Sequence, residues 1–281
     1  MLSPDLHTHT NASDGTLSPS ELIQRAVARG VSHLAITDHD TINAYHQLSR
    51  QPTPELTLVP GIELSARWMK TGVHIVGLNI DLEDLKLQQC IERQQQARQA
   101  RAKTIALRLQ KCGLPDLLPA AMAMAGSSSI GRPHFARCLV EQGFSKDFKA
   151  AFKRYLGNGK AGDVRQLWPT ISEVIPWIAD AGGTAVLAHP ARYKMTATKV
   201  RELVADFSAA GGEAMEVVCG QQRPEITNRL ADLAVDYGLS ASCGSDFHSP
   251  DNRWSDLGQF PALPSGVTPV WERWKTNAHC G

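Results

Sequence analysis

The chain has 281 residues and a formal net charge of +1, with 42% hydrophobic and 20% charged residues. This is the composition of an ordinary soluble globular protein with ample material for a core. No apolar run reaches the roughly 18 residues that a transmembrane helix needs, and the N-terminal segment lacks the regions of a signal peptide. The six cysteines are scattered without a regular spacing. A disulfide framework is therefore not expected, and we predict a cytoplasmic protein.

The first third of the chain is predicted to alternate helices with short strands. Ser18, Pro19 and Glu21 form the capping signature of a helix start, and Gly30 is a typical helix stop. Apolar runs rich in β-branched residues then predict three buried strands. These strands cover residues 32–38, 56–66 and 74–80.

The middle of the chain shows helical patterns and no strand pattern. These patterns cover residues 85–111, 114–125 and 134–155, and the segments GSSSIGRP and LGNGKAG interrupt them. The last part returns to the alternation, with strands predicted at 184–189, 214–219 and 239–243 and helices at 172–181, 198–210 and 224–237. Strands that alternate with helices favour parallel βα units, in a barrel or a doubly wound sheet.

We therefore predict an α/β domain formed by residues 1–98 and 166–281, with residues 99–165 inserted as a small helical domain. Charge is distributed unevenly between these parts. Residues 91–165 contain 14 Lys and Arg against 5 Asp and Glu, a net charge of +9, whereas the remainder has 15 against 23, a net charge of −8. A basic segment of this kind indicates either a polyanionic substrate or a solvated helical face.

Histidines and carboxylates follow the predicted strands at their carboxyl ends, where α/β barrels build active sites. His7 and His9 are two residues apart on a strand, so both imidazoles point to the same side. The other side chains in comparable contexts are His39, Glu63, His189, Asp246 and His248, together with Asp14 after the first motif, His74 at the start of a strand and His134 in the insertion.

Seven of the ten histidines therefore belong to this pattern. A single histidine of this kind is more simply explained as a hydrogen-bonded core residue. The whole set would be costly to bury unless metal ions satisfied it. Imidazoles and carboxylates suit manganese, iron and zinc. His33, His46 and His279 lack the pattern and are expected to be structural or surface residues.

In their order and spacing these motifs resemble the PHP (polymerase and histidinol phosphatase) family. The resemblance covers nearly the whole chain, through D-x-H-x-H at 5–9, T-D-H at 37–39, G-I-E at 61–63, R-P-H at 132–134, A-H-P at 188–190 and G-S-D-x-H at 244–248. It implies a distorted (β/α)₇ barrel of the PHP type with an inserted helical domain. It also implies a metal-dependent phosphoesterase with a trinuclear centre at the carboxyl ends of the strands.

The resemblance implies a ligand set for each of two to three divalent ions, with Mn²⁺ expected first and Fe²⁺ or Zn²⁺ as alternatives. One ion is implied on His7, His9, Glu63 and Asp246, a second on Glu63, His74 and His134, and a third on Asp14, His39 and His248. His189 is implied to be a metal ligand, a phosphate contact or the general acid. Asp38 and Asp40 flank His39 and are candidates for orienting the ligand imidazoles.

The insertion narrows the resemblance to small bacterial PHP enzymes that remove the 3′-phosphate from 3′,5′-nucleoside bisphosphates, some of which also shorten RNA from its 5′ end. The implied partner is thus a small nucleotide or a short RNA 5′ end, without a membrane or an obligate protein partner. Arg132 is the predicted phosphate contact in catalysis, because a planar guanidinium matches two phosphoryl oxygens. Lys160, in the glycine-rich loop, is either a second phosphate contact or part of an ordinary turn.

Three alternatives remain at this point. A histidinol-phosphate phosphatase would have to recognise a cationic amine, to which a basic insertion is poorly suited. A metal-dependent amidohydrolase often has a bridging lysine, whereas Glu63 takes that position here. A non-catalytic PHP module would be expected to lack some ligands, and the set in this chain is complete.

Overall fold

The structure is a computed structural model that describes residues 3–48, 56–252 and 255–276. Seven strands lie in one sheet in their order along the chain. They are β1 (Pro4–Thr8), β2 (His33–Ile36), β3 (Thr57–Trp68), β4 (Thr71–Leu78), β5 (Thr184–Leu187), β6 (Ala214–Cys219) and β7 (Ser240–Gly244). The helices are α1 (Pro19–Ala28), α2 (Asn43–Leu48), α3 (Leu85–Gln110), α4 (Leu118–Ala125), α5 (Arg132–Glu141), α6 (Phe148–Ala151), α7 (Ile171–Asp180), α8 (Ala197–Ala209), α9 (Pro224–Asp236) and α10 (Trp271–Thr276). Within the described ranges, none of these helices is both long and apolar enough to cross a bilayer.

The sheet closes almost completely into a barrel, because β7 returns to the side of β1. The amide of His9 donates to the carbonyl of Phe247 (2.8 Å), and the amide of Asp246 donates to the carbonyl of His7 (2.8 Å). Gly244 makes this approach possible, since a Cβ atom there would lie 2.5 Å from the Cβ of His7. The predicted α/β barrel is thus confirmed.

Strand β4 departs from the predicted parallel arrangement, because it runs antiparallel to both β3 and β5. The connection between β3 and β4 consists of Met69 and Lys70 alone, which is too short for a crossover helix. In the resulting hairpin Ser65 pairs with His74, and Glu63 pairs with Val76. The reversal therefore places His74 at the same end of the barrel as Glu63.

The helix that the sequence predicts after residue 18 forms as α1. The Ser18 amide donates to the Glu21 carboxylate (2.8 Å), and Ser18 Oγ accepts from the Glu21 amide (3.3 Å). The helix ends before Gly30, whose φ of +73° suits the left-handed turn that follows a helix. Leu22 and Ala26 lie on the face that packs against the sheet, so the cap and the apolar stripe determine where this helix lies.

The inserted helices have a hydrophobic cluster of their own, formed within residues 102–164. Helix α3 belongs to both clusters, because Leu87 and Ile91 pack with the barrel while Ile105 and Leu109 pack with the insertion. The domain boundary proposed at residue 98 therefore falls inside a continuous helix. The division of the chain into two domains stays a prediction.

A buried ion pair joins helix α3, which continues into the insertion, to Asp40 on the loop after β2. Asp40 is fully buried, and its Oδ2 accepts from Arg98 Nε at 2.6 Å. Its Oδ1 accepts from the amide of Ser65 (2.7 Å) and from Gln94 Nε2 (3.1 Å). Arg98 also donates to the carbonyl of Ile130 (3.1 Å). Both charges are therefore paired and hydrogen-bonded, the condition under which buried charges are tolerated.

Removing one partner of this pair should destabilise the fold strongly. We expect Asp40→Ala to lower the free energy of unfolding by about 3–5 kcal/mol, because the Arg98 charge would remain buried without a counterion. Urea unfolding would measure the change. The matched control is Asp236→Ala, which breaks the exposed pair with Arg201 (2.9 Å) and should change the free energy by less than about 1 kcal/mol. Equal effects of the two changes would contradict the importance of the buried pair.

Candidate metal centre

Nine of the side chains singled out in the sequence meet at the carboxyl-end rim of the barrel. Together they supply four groups of three or four possible metal donors, with the donor atoms of each group within 4.8 Å of one another. These side chains are His7, His9, Asp14, His39, Glu63, His74, His189, Asp246 and His248. His33 and His46 belong to none of the groups, and His279 lies outside the described residues.

Glu63 occupies the middle of this set and is fully buried. Its Oε1 lies 2.9 Å from His74 Nδ1 and 3.0 Å from His189 Nε2. Its Oε2 lies 2.8 Å from His39 Nδ1 and 3.4 Å from His9 Nε2. Burial by itself would raise the pKa of Glu63, but the surrounding imidazoles, led by His39 and His74, hold it well below its usual range. Glu63 is thus an ionised carboxylate with both oxygens directed at imidazole nitrogens.

The first donor group lies at the junction of β1 and β7. His7 Nε2 and His9 Nε2 are 3.1 Å apart, and Asp246 Oδ1 is 3.5 Å and 3.3 Å from them. Ligand atoms about 2.1 Å from a single ion would be roughly 3.0–3.4 Å from one another, so these separations match a shared coordination sphere. Two imidazole nitrogens also cannot face each other at this distance without a proton or a cation between them.

The ligand set predicted for the third ion, which is Asp14, His39 and His248, lies beside this first group. His248 Nε2 is 3.3 Å from Asp14 Oδ1, and His39 Nε2 is 3.7 Å from Asp14 Oδ2. Burial lowers the pKa of His39 to about 4, so this imidazole is a neutral donor at physiological pH. The buried ring nitrogens His9 Nδ1 and His189 Nδ1 have no hydrogen-bond partner in the described part of the chain. The donor set therefore fits divalent ions, which would complete it.

The structure does not bring His134 into any of the four groups. His134 lies in the first turn of α5, where its Nδ1 accepts from the amide of Gly131 (3.0 Å) and its Nε2 lies 3.5 Å from Ser128 Oγ. The imidazole thus caps its own helix. His189 lies instead beside Glu63 and His74, at the position where the resemblance implied His134.

The other predicted site residues are distributed differently. Arg132 lines the cavity above the donor groups, whereas Lys160 is exposed and does not line it. Two backbone hydrogen bonds, from Lys160 to Gly157 (3.0 Å) and from Gly162 to Tyr155 (2.8 Å), close its loop into a turn.

The carboxylates of Asp38 and Asp40 make no hydrogen bond to an imidazole within the described ranges. Asp38 accepts from the amide of Thr10 (2.8 Å) and from Ser13 Oγ (2.6 Å), so it holds the loop that follows β1. Asp40 binds Arg98 instead. Neither carboxylate therefore orients a ligand imidazole through a direct hydrogen bond, as the sequence analysis had expected.

That role falls to Glu216, which the sequence analysis did not single out. Glu216 is buried in β6, with its Oε1 2.6 Å from His7 Nδ1, while its Oε2 accepts from the amide of His189 (2.6 Å). A carboxylate that binds the remote nitrogen of a ligand imidazole sets its tautomer and its orientation. The sequence does contain a signal, namely one acidic residue inside the apolar strand AMEVVC.

Glu216→Gln should weaken metal binding without unfolding the protein. We expect affinity for Mn²⁺ to fall about 10- to 100-fold, because the amide cannot hold the His7 ring as the carboxylate does. Titration of the metal-free protein with Mn²⁺ measures this change. Glu213→Gln, a partly exposed residue immediately before the same strand, is the matched control and should leave the affinity unchanged. An unchanged affinity in Glu216→Gln would show that the Glu216 contact does not support the centre.

A cavity of about 340 Å³ opens above the donor groups, large enough for a small organic ligand. A strongly basic wall borders it, formed by Arg98 just before the insertion and by Arg101, Arg132 and Arg165 within the insertion, beside Trp168 and Phe152. Only Arg132 was anticipated from the sequence, since the other arginines come from separate segments that meet only in the fold.

Two of these arginines are not neutralised. Arg101 donates from Nε to the carbonyl of Val164 (2.7 Å), and Arg132 donates to the carbonyl of Leu156 (3.2 Å). In the described part of the chain neither guanidinium is ion-paired with a carboxylate. Burial lowers the pKa of Arg101 well below its usual value, and the charges of Arg132 and Arg98 lower it further. This wall of the cavity thus holds unpaired positive charge that an anionic ligand would offset.

Comparison with known proteins agrees with this chemistry. Residues 5–116 match the PHP domain. The chain is 45% identical over 275 residues to the 5′-3′ exoribonuclease Rnm of Salmonella typhimurium, which covers 96% of this chain and 93% of that protein. The chain belongs to the PHP family. It is also 38% identical over 273 residues to the 3′,5′-nucleoside bisphosphate phosphatase of Chromobacterium violaceum, covering 96% of each chain.

A solved structure from Chromobacterium violaceum, named an amidohydrolase with bound sulfate and no metal, matches this PHP chain with a TM-score of 0.88. It is 37% identical and covers 98% of this chain and 96% of its own. The two relatives above are named an exoribonuclease and a nucleoside bisphosphate phosphatase, and no lysine is among the described residues that line the cavity. The chain is therefore a metal-dependent PHP phosphoesterase, which disfavours the alternatives of an amidohydrolase with a bridging lysine and of a non-catalytic module.

Proposed function

We propose that this PHP phosphoesterase removes the 3′-phosphate from 3′,5′-nucleoside bisphosphates and releases 5′-nucleotides from the 5′ end of short RNA. The observation that carries the proposal is the presence of two anion sites in one cavity. The donor groups around Glu63 would form one when they hold divalent ions, and the unpaired Arg101 and Arg132 form the other. A substrate with two separate phosphates would occupy both. Two relatives carry the names of these two activities.

Both reactions break the same bond, which is consistent with one site. In each, the oxygen of water forms a bond to the phosphorus on the 3′ side of a nucleotide, the bond from phosphorus to O3′ breaks, and O3′ receives a proton. The bisphosphate then yields a 5′-nucleotide and inorganic phosphate. RNA yields a 5′-nucleotide and a chain that begins with a new 5′-phosphate.

The donor groups suggest where the ions would be held. We propose that His7, His9, Glu63 and Asp246 hold one ion, that Glu63, His74 and His189 hold a second, and that Asp14, His39 and His248 hold a third. Mn²⁺ is expected first, with Fe²⁺ or Zn²⁺ as alternatives. Divalent ions in such a centre neutralise phosphoryl oxygens and make hydroxide available near neutral pH.

The surroundings of His189 favour a ligand role over that of a general acid. Its Nε2 lies 3.0 Å from Glu63 Oε1, the same oxygen that His74 Nδ1 approaches to 2.9 Å. The Glu216 carboxylate also holds the backbone amide of His189, at a residue with a φ of +31°. A ring held in this way is oriented toward Glu63. We therefore propose that His189 binds an ion and that Arg132 contacts the second phosphate.

The basic wall also separates the proposal from its nearest alternative. Histidinol phosphate carries an ammonium group, which would be repelled by the unpaired charges of Arg101 and Arg132. A second phosphate would be attracted to the same place. The arrangement of charge therefore favours a bisphosphate over histidinol phosphate.

The test is to incubate the protein with Mn²⁺ and to compare phosphate release from adenosine 3′,5′-bisphosphate, AMP, and histidinol phosphate, with nucleotide release from short 5′-phosphorylated RNA. Rapid conversion of the bisphosphate into 5′-AMP, with little release from AMP or histidinol phosphate, is the expected result. Preference for histidinol phosphate would overturn the substrate assignment. Absence of any phosphate-ester hydrolysis would overturn the proposal as a whole.

A further inference from the structure

A second, more open groove lies on the barrel rim next to the cavity. It is formed by the segments that follow β5, β6 and β7, and none of its lining residues comes from the insertion. Its lining residues include Arg192, Gln221, Gln222, Arg223 and Asn252. Among the described residues that line the groove there is no aspartate or glutamate. The lining thus combines two cationic side chains with three amides.

Arg192 connects the groove with the cavity, because it lines both. Its guanidinium is ion-paired with Asp246, a member of the first donor group. The groove therefore begins directly beside the donor groups and extends toward Arg223 at the start of α9. A ligand bound at the donor groups could continue into it.

The proposed reaction requires such a continuation when the substrate is RNA. The nucleotide on the 5′ side of the broken bond would occupy the cavity, with its 5′-phosphate near Arg101 and Arg132. The remaining RNA is attached to another oxygen of the same phosphate. That part of the chain must leave the donor groups by a route other than the wall of the insertion.

We propose that the groove between Arg192 and Arg223 binds the RNA on the 3′ side of the phosphate that is attacked. This inference rests on the proposed function and assigns a second substrate region to the same site. Arg223, which is exposed, would attract the phosphates of the leaving chain, together with Arg192, which also pairs with Asp246. A nucleoside bisphosphate, which has no such chain, would not use the groove.

The test compares Arg223→Glu with Arg229→Glu, which makes the same charge change on α9 away from both the cavity and the groove. For Arg223→Glu we expect kcat/KM on a ten-nucleotide 5′-phosphorylated RNA to fall about tenfold, because one phosphate contact is replaced by repulsion. The value for adenosine 3′,5′-bisphosphate should stay within twofold. Arg229→Glu should leave both values unchanged. A glutamate at the start of a helix is compatible with its dipole, so α9 should remain folded.

The dependence of KM on RNA length and on salt, measured for the wild-type protein, gives an independent check. Its KM should fall as the RNA is lengthened from two to about six nucleotides, and for longer RNA it should rise with salt. In Arg223→Glu the slope of log KM against log salt should be shallower by about 0.7 for the lost contact. Equal losses in the two variants, or a KM independent of RNA length, would overturn the groove. If the protein hydrolyses the bisphosphate but no RNA, the groove assignment fails while the phosphatase stands; if it hydrolyses neither, the proposed function itself fails.

Discussion

Glu63→Gln is expected to remove nearly all activity, with kcat/KM on adenosine 3′,5′-bisphosphate falling by about 10³-fold or more. The glutamine has the same shape but no charge, so it cannot balance ions shared between the imidazoles that surround Glu63. A loss of this size corresponds to about 4 kcal/mol of transition-state stabilisation, which is within the contribution expected of a metal centre. Metal analysis of the purified variant should show less bound Mn²⁺ than in the unchanged protein.

The control for this variant is Glu225→Gln, an exposed residue at the start of α9. It makes the same chemical change away from the centre and should leave both metal content and activity unaltered. Far-ultraviolet circular dichroism of both variants would show whether the fold is retained. Full activity of Glu63→Gln would contradict a bridging role for this carboxylate.

Arg132→Ala should remove the enzyme's preference for substrates that carry a second phosphate, while hydrolysis of the scissile phosphate itself continues. We expect kcat/KM on adenosine 3′,5′-bisphosphate to fall roughly 10- to 150-fold, since a hydrogen bond to a charged group contributes about 1.5–3 kcal/mol. Adenosine 3′-monophosphate has the same scissile phosphate but no 5′-phosphate, and its hydrolysis should change less than about threefold. The ratio of the two values is the measurement. Arg101→Ala should behave in the same way.

Arg154→Ala serves as the matched control for both arginine variants. Arg154 belongs to the insertion but is exposed, and it contacts Tyr155 rather than the cavity. Its removal lowers the charge of the insertion by the same amount and should leave the ratio unchanged. Equal losses on the two substrates in Arg132→Ala would place that residue at the scissile phosphate instead.

Much of the candidate site could be predicted from the sequence, because its donors lie in short motifs at strand ends. His7 and His9 are the clearest case, since the alternation of a strand directs both side chains to one side. The mismatch at His134 has a local cause. Proline at the start of a helix and a histidine one residue later are compatible with a ligand and with a cap, and only the fold shows that the ring bonds to Gly131.

Other parts of the site could not be predicted because they depend on contacts between distant segments. Glu216 becomes a partner of His7 only when β6 lies near β1 in the closed barrel. Arg101 becomes an unpaired charge only when α3 and α5 face the same cavity. The direction of β4 could have been anticipated, because seven residues between two predicted strands leave no room for a crossover helix.

The β3–β4 hairpin has a consequence for the order in which the centre can form. Glu63 and His74 are 11 residues apart, so their contact requires closure of only a short loop. His7 and Glu216 are 209 residues apart, and Asp5 accepts a hydrogen bond from the amide of Ser245 across 240 residues. Short closures lose less entropy and form sooner than long ones. Two of the nine donors, Glu63 and His74, are thus brought together as soon as the hairpin exists. The donors of β1 and those that follow β7 meet only when the last strand docks, and metal uptake during refolding would report that final step.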